Sequence, residues 1–263
     1  MRAVLRFLIL LFAVVAWTPC ARAQAPAEAP EPGADMPTDR PGFNAPASVV
    51  GAGVVQIEMG WSTVRGRDGV YGSAGPQPLL RIGATRNLEL QVTSAGLAAE
   101  CVAACDWHGA DVAGGARYLL PVTPLGLSLA VTGLLSVPTG SVAVSSEHLD
   151  PLGIVHVDRA FGPIGISYNY LVTRIHDEEG DVAAVRHGHG LNIGTSVGRW
   201  APYVNFGWRP LHVDGRTPIL GELGIAYRVA RDVQVDVAAT RGLTSAEAVW
   251  SLSAGVVLRH RPR

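Results

Sequence analysis

The chain has 263 residues, 48% of them hydrophobic and 16% charged, and a formal net charge of −1 with histidine neutral. Nothing in that balance offers the basic surface that phosphate binding needs, so nucleic acid is excluded as a partner. The 21 basic residues are all arginine, which implies a GC-rich coding sequence and no mechanism.

The first 23 residues read as an export signal. Arg2 and Arg6 precede the apolar run Phe7–Trp17, and Ala21-Arg22-Ala23 supplies an A-x-A cleavage site before Gln24. The run is shorter than the roughly 20 apolar residues of a spanning helix. The alternative is an uncleaved anchor. Cys20 falls within this segment, and "WTPC" lacks the small residues that precede a lipidated cysteine. Cleavage removes three arginines and no acid, so the balance becomes 18 positive against 22 negative.

Residues 24–50 are rich in Ala and Pro with scattered acids. Such a stretch buries too little apolar surface to order itself, and it reads as a flexible periplasmic lead-in. From residue 51 the pattern changes. In "GVVQIEMGWS", Val55, Ile57, Met59 and Trp61 share one parity, and Gln56, Glu58, Gly60 and Ser62 the other. Period two is the signature of a strand with one apolar and one polar face.

Strand follows strand from there. "QPLLRIGA" joins "LELQVTSA" through Thr85-Arg86-Asn87. "DVAGGARYLL" leads through "PVTP" to "LGLSLAVTGLL". "GIVHVDRAF" meets "IGISYNYLVT" at Gly162-Pro163. "HGLNIGTSVGR" meets "PYVNFGWR" at Trp200-Ala201. "GELGIAYRV" meets "VQVDVAAT" at Ala230-Arg231-Asp232, and "AVWSLSAGVVL" closes the set. About twelve strands result, each of a length suited to crossing a bilayer at a tilt. The connections alternate between these five tight turns and longer loops such as "TVRGRDGVYGSAGP" and "GLAAECVAACDWHGA". The fold class is therefore all-β: an antiparallel up-and-down transmembrane β-barrel over residues 51–259, short turns on the periplasmic side, longer loops outside, and a basic tail at 260–263.

The two faces differ in chemistry. A soluble barrel would carry a dense mixed-charge surface. Here the polar parity is mostly Gly, Ser, Thr, Asn and Gln, with isolated charges: Glu58, Arg81, Glu89, Arg117, His156, Asp158, Glu222, Arg228 and Asp236. These suit a narrow wet lumen, where they either set selectivity or pair with one another and plug the bore. The opposite parity is apolar, for example Leu88, Leu90 and Val92, or Leu125, Leu127, Leu129 and Val131. Aromatics fall at strand ends: Tyr118, Phe161, Trp200 and Tyr227 at the periplasmic ends, Trp61, Tyr170, Trp208 and Trp250 at the outer ends. That is a pair of interfacial girdles.

Beyond the signal, the cysteines are Cys101 and Cys105 in "ECVAACDWH". In an oxidising compartment the simple reading is a small loop disulfide. His187 and His189 in "RHGHG", with His176, are a possible metal site, but they fall in an expected outer loop, where solvated polar chain is the plainer reading.

"TDRPGF" (Thr38–Phe43) ahead of "VQIEMGW" resembles the opening of the phenol-degradation MetA-pathway family of outer-membrane transporters. So do "LLRIGATRNLELQV", "SVPTG", "LNIGTSVG" and "AYRVARDVQVDVAATRGL". The likeness runs from about Thr38 to Leu258. It implies one outer-membrane barrel that transports small solutes linked to aromatic catabolism, and it supplies no catalytic residue. Arg117 stands where the family leads one to expect Lys. The end "VVLRHRPR" departs from the terminal aromatic that barrel-insertion machinery reads.

The expected function is passive or facilitated passage of a small aromatic or apolar solute through an outer-membrane barrel. The partners are then the bilayer, the insertion machinery and the solute, with no cofactor and no enzymatic activity. Two alternatives stand beside it. One is a lipid-acting barrel enzyme in which His156 and Asp158 serve Ser128, Ser167 or Ser196. The other is a soluble periplasmic ligand-binding barrel.

Overall fold

The computed structural model describes residues 36–40, 42–66, 69–101, 104–176, 183–209, 217–245 and 249–262. The export signal, Cys20 and the first part of the Ala/Pro-rich stretch lie outside them.

Twelve antiparallel strands close into a barrel. They are β1 (Val55–Arg65), β2 (Tyr71–Ala74 and Leu79–Gly83), β3 (Leu88–Ser94 and Leu97–Cys101), β4 (Cys105–Gly109 and Val112–Leu119), β5 (Ser128–Val137) and β6 (Asp150–Phe161). The rest are β7 (Ile164–His176), β8 (Ala183–Thr195), β9 (Trp200–Trp208), β10 (Ile219–Ala230), β11 (Val233–Gly242) and β12 (Trp250–His260). Each pairs with its sequence neighbour, and β12 returns to β1 in register from Val55↔His260 to Arg65↔Trp250. Closure gives every edge a partner, the condition for a sheet in lipid.

Two connections expected to be long loops prove to be largely strand. Tyr71–Ala74, Leu97–Cys101 and Cys105–Gly109 continue β2, β3 and β4 beyond short breaks. Backbone bonds carry the ladder across those breaks: Gly75 N to Leu97 O at 2.8 Å, Ser94 N to Pro78 O at 3.1 Å and Ala110 N to Gly96 O at 2.8 Å. At the β3 break Gly96 takes φ +74°, and an added Cβ there would overlap the Pro76 carbonyl, so glycine lets the two backbones approach. The tip of the β3–β4 hairpin is tied by the Cys101–Cys105 disulfide.

The polarity of the barrel is inverted. Its largest fully buried side chains include Arg81, Arg117, His156, Gln56, Glu58, Glu89 and Asn205. Its outward parity is apolar and open: Leu90 is 47% exposed, Val237 53% and Leu223 64%. The parity read from the sequence holds along β1, where Gln56 and Glu58 are buried and Ile57 and Trp61 are exposed. It fails at Leu125 and Leu127. Leu125 lies in a 3₁₀ turn (Pro124–Gly126) and Leu127 caps it, so neither is in a strand. Pro124 starts that turn and shortens the expected strand.

Aromatic rings gather in two bands. Trp200 and Tyr227 meet at 4.4 Å near the turns, where Tyr118 and Phe161 also face outward. At the other end Trp61 meets Trp107 at 5.5 Å and Tyr71 meets Trp250 at 6.3 Å. His187 and His189 join this upper band rather than a loop: they lie on β8 at outward parity. The Tyr168 hydroxyl bonds His189 Nδ1 at 2.7 Å, the Tyr170 hydroxyl bonds His187 Nδ1 at 2.5 Å, and His189 stacks on Trp208 at 5.0 Å. β8 carries no Phe, Tyr or Trp of its own; its alternating His-x-His meets the rings that β7 and β9 present on either side, so spacing and not polarity places the two histidines.

The basic tail is fastened to the turn between β10 and β11. Asp232 accepts from Arg259 Nε at 3.1 Å and from Arg261 Nε at 2.8 Å. Partial burial pushes its carboxyl up, but the Arg259 hydrogen bond and the two guanidinium charges outweigh that and hold it below the usual range. A depressed carboxylate adds stability above its unfolded pKa and loses it as pH falls through the folded value. The clamp should therefore hold at neutral pH and release below about pH 4. Asp232→Asn should cost only ~0.2–1 kcal/mol, because the pair is solvent-screened. Protease nicking of the tail as a function of pH checks this. A second prediction concerns the outer band: Val237→Arg should destabilise the barrel by about 2–4 kcal/mol if Val237 lies near the bilayer midplane, read from denaturant unfolding in vesicles.

Candidate functional site: the lumen and its inner coil

The Ala/Pro-rich lead-in reading is corrected for its described part. Residues 36–40 and 42–50 lie inside the barrel, and Met36, Asn44, Ala47 and Val50 are buried. The stretch has too little apolar surface to fold alone, as its composition says. What holds it is a polar wall that supplies hydrogen-bond partners.

Its path can be followed bond by bond. Gln56 Nε2 on β1 donates to Pro37 O at 2.8 Å. The amides of Asp39 and Arg40 donate to Glu58 Oε2 at 3.0 and 3.1 Å. Arg40 reaches Ala254 O on β12 at 3.2 Å and lies 3.6 Å from Asp236 on β11. Asn44 Nδ2 donates to Ser167 O on β7 at 3.1 Å. Ala45 O accepts from Asn169 Nδ2 at 2.9 Å, and the Ala47 amide donates to Asp158 Oδ2 on β6 at 2.7 Å. Val50 N ends the circuit on Glu89 of β3 at 2.8 Å. The segment thus makes one turn around the inner wall, against the strand order.

Glycines in the wall form its seats. Gly60 and Gly255 are register partners across the β1–β12 seam, and a Cβ at either would overlap the Arg40 guanidinium. A Cβ at Gly207 would strike the Phe43 ring, and one at Gly190 the Asn44 amide. Each is a place where only the smallest residue admits close approach.

The coil also completes the lumen's charge network. Arg81 grips Glu89 with Nε and Nη2 at 2.9 and 3.0 Å and reaches Glu58 with Nη1 at 3.1 Å. The same Nη1 donates to Pro37 O at 3.0 Å, and Asp39 lies 3.2 Å away. Arg117 forks onto Asp39 at 2.8 and 2.7 Å and donates Nε–H to Thr132 Oγ1 at 3.0 Å. The acceptors Ala45 O and Asn169 Oδ1 put the His156 ring proton on Nδ1, so its Nε2 accepts from the Thr132 hydroxyl at 2.8 Å. His156 Nδ1–H is then shared between Ala45 O at 3.2 Å and Asn169 Oδ1 at 3.1 Å. On the far wall Glu222 accepts from Asn205 at 2.8 Å, Thr240 at 2.8 Å and Tyr203 at 3.3 Å.

The nine charged candidates from the sequence all project inward. Glu58, Arg81, Glu89, Arg117 and His156 share one network through the coil, while Asp158, Glu222 and Asp236 stand farther round the wall. Arg228 is half-buried near the turns, where its amide bonds Arg199 O at 2.9 Å. The expected serine partner of His156 is not among its contacts in the described residues. Ser128 and Ser167 lie opposite Asp158 instead, whose Oδ2 is occupied by the coil. Sequence reasoning missed Asp39, Arg40, Thr132, Asn169 and Asn205. The acid–base pair in "TDRPGF", alone in an Ala/Pro-rich stretch, was the available signal for the first two.

Above the coil an outer vestibule of about 400 Å³ opens, with Asp39 and Arg40 in its floor and Gln77, Thr93, Ser94 and Asp111 in its wall. Asp111 is already engaged by Gly140 N at 2.8 Å and Ser145 Oγ at 3.0 Å.

Breaking the central fork should be costly. Arg117→Met leaves Asp39 without its bidentate partner and should weaken coil docking by about 3–5 kcal/mol. Adding Asp39→Asn should recover part of that loss in a double-mutant cycle, read as protease sensitivity of residues 36–50.

The fold resembles solved outer-membrane proteins. A crystal structure of an outer membrane channel from Pseudomonas putida F1 aligns with TM-score 0.56 at 14% identity, covering 85% of this chain and 100% of that one. The KdgM porin, solved alone and in complex with disordered oligogalacturonate, aligns with TM-score 0.54 at 9% identity, covering 78% of this chain and 99% of its own. No family model and no curated protein matches the sequence.

Proposed function

We propose that this protein is an outer-membrane channel that passes small solutes by passive or facilitated diffusion. The inverted polarity carries the reading: an apolar, girdled exterior suits acyl chains, and a closed cylinder of inward polar side chains suits a wet bore. The coil narrows that bore, so the solutes are small. Phe43 stands on the coil and is 41% exposed, a residue on which an aromatic solute can stack. This agrees with the aromatic catabolism that the family resemblance implies. The P. putida relative in fold is itself described as an outer membrane channel.

On this reading the protein is exported, inserted by the barrel machinery through its last strand, and performs no covalent chemistry. The lipid-hydrolase alternative loses its main support because Thr132, Asn169 and Ala45 take both ring nitrogens of His156. The soluble-barrel alternative must place a broad apolar exterior in water, which favours association or precipitation.

Purified protein in phosphatidylcholine liposomes should admit small neutral solutes in a swelling assay. Gly60→Val, which evicts Arg40 from its seat, should raise both the swelling rate and the planar-bilayer conductance severalfold. No permeability for any small solute in either protein overturns the channel reading.

A further inference from the structure

A depression of about 720 Å³ crosses the outward wall from the turn ends of β7–β9 up to Leu252 near the outer end of β12. That volume lies in the range of ligand pockets, roughly 300–1,000 Å³. Ile193, Val204, Ile225 and Leu252 wall it, and Gly194 and Ala239 lie in its floor. Ala239 is the small outward residue there, while Val237 and Leu252 beside it carry branched side chains.

At the foot of this hollow the barrel rim is basic. Arg159, Arg199 and Arg231 are exposed there, on three successive hairpins. Arg159 stands over the Phe161 ring at 4.9 Å, and Arg199 Nη1 donates to Val229 O at 3.4 Å. Among the described residues the acid on this rim is Asp232, and Arg259 and Arg261 already hold it. The three exposed guanidiniums are thus left without a carboxylate partner there. Arg199 and Arg231 sit in the turns at the lower aromatic band marked by Phe161, Trp200 and Tyr227, and Arg159, two residues before Phe161, reaches that band through its ring, the level at which headgroup phosphates lie.

We infer that this face binds an anionic phospholipid of the periplasmic leaflet, its acyl chain in the hollow and its phosphate drawn by the positive rim that Arg159, Arg199 and Arg231 form. The two halves of the surface call for one amphipathic ligand. A soluble anion would leave the hollow unused, and a zwitterionic lipid would leave the arginines less well matched. The inference goes beyond channel activity and uses only the bilayer location from that reading.

Native mass spectrometry of the full chain in detergent, titrated with dioleoyl-phosphatidylglycerol or dioleoyl-phosphatidylcholine, tests it. Wild type should retain phosphatidylglycerol at least about tenfold more tightly, since each interfacial arginine is worth about fivefold. The triple variant Arg159→Gln, Arg199→Gln, Arg231→Gln should lose that preference. Arg174→Gln, toward the opposite end of the barrel, should keep it. Ala239→Phe, which fills the hollow, should weaken both lipids while preserving heat-modifiable migration of the folded barrel. Equal retention of the two lipids by wild type, or an undiminished preference in the triple variant, overturns the proposal. Displacement of phosphatidylglycerol by millimolar inorganic phosphate also overturns it, by pointing to a soluble anion. A protein that binds neither lipid and leaves envelopes in salt without detergent refutes the membrane reading itself.

Discussion

Arginine sealed away from solvent must have its charge met and its donors occupied. Arg81 and Arg117 are both in that position, and the barrel wall alone does not meet their needs. Glu58 and Glu89 answer much of Arg81. The fork of Arg117 is answered by Asp39, which the wall does not contain. The inner coil is therefore part of the solution to the lumen's electrostatics, and the wall glycines show the fit from the other side. The barrel and the described residues between Met36 and Val50 form one polar core, built inside out relative to a water-soluble protein.

That arrangement reconciles two readings of the lumen charges that looked opposed in the sequence. Glu58, Arg81, Glu89 and Arg117 pair, as buried charges must, and they do so on one side of the bore through the coil. Glu222 and Asp236 remain on the far wall, with Arg40 beside Asp236. In the proposed channel a solute would meet this asymmetric lining and the vestibule above it rather than a symmetric ring of charge.

Most of the barrel was legible because its signal is periodic. Alternation in β1, β3, β10 and β11 fixes which residues face out, and inward orientation of the nine charged candidates follows from parity alone. What stayed hidden is not periodic. Tyr71–Ala74 and Leu97–Cys101 are strand extensions interrupted by Gly75–Pro78 and Gly96, residues that locally read as loop. His187 and His189 were placed by polarity instead of by their spacing. The lead-in was the largest omission, since Ala/Pro-rich composition describes a chain that cannot fold alone and is silent about one that folds into a prepared groove. The glycines that prepare it, Gly60, Gly190, Gly207 and Gly255, looked like ordinary small lumen residues until their neighbours were known.

The position of Arg40 bears on how the molecule is put together. Its seat is halved between the first and last strands, at Gly60 and Gly255, so it exists only once the two ends of the sheet have met. An N-terminal segment already threaded inward brings a cation to that junction as the cylinder shuts. Closing the seam and seating the leading peptide's cation are then linked, although the strand pairing from Val55↔His260 to Arg65↔Trp250 does not itself use Arg40.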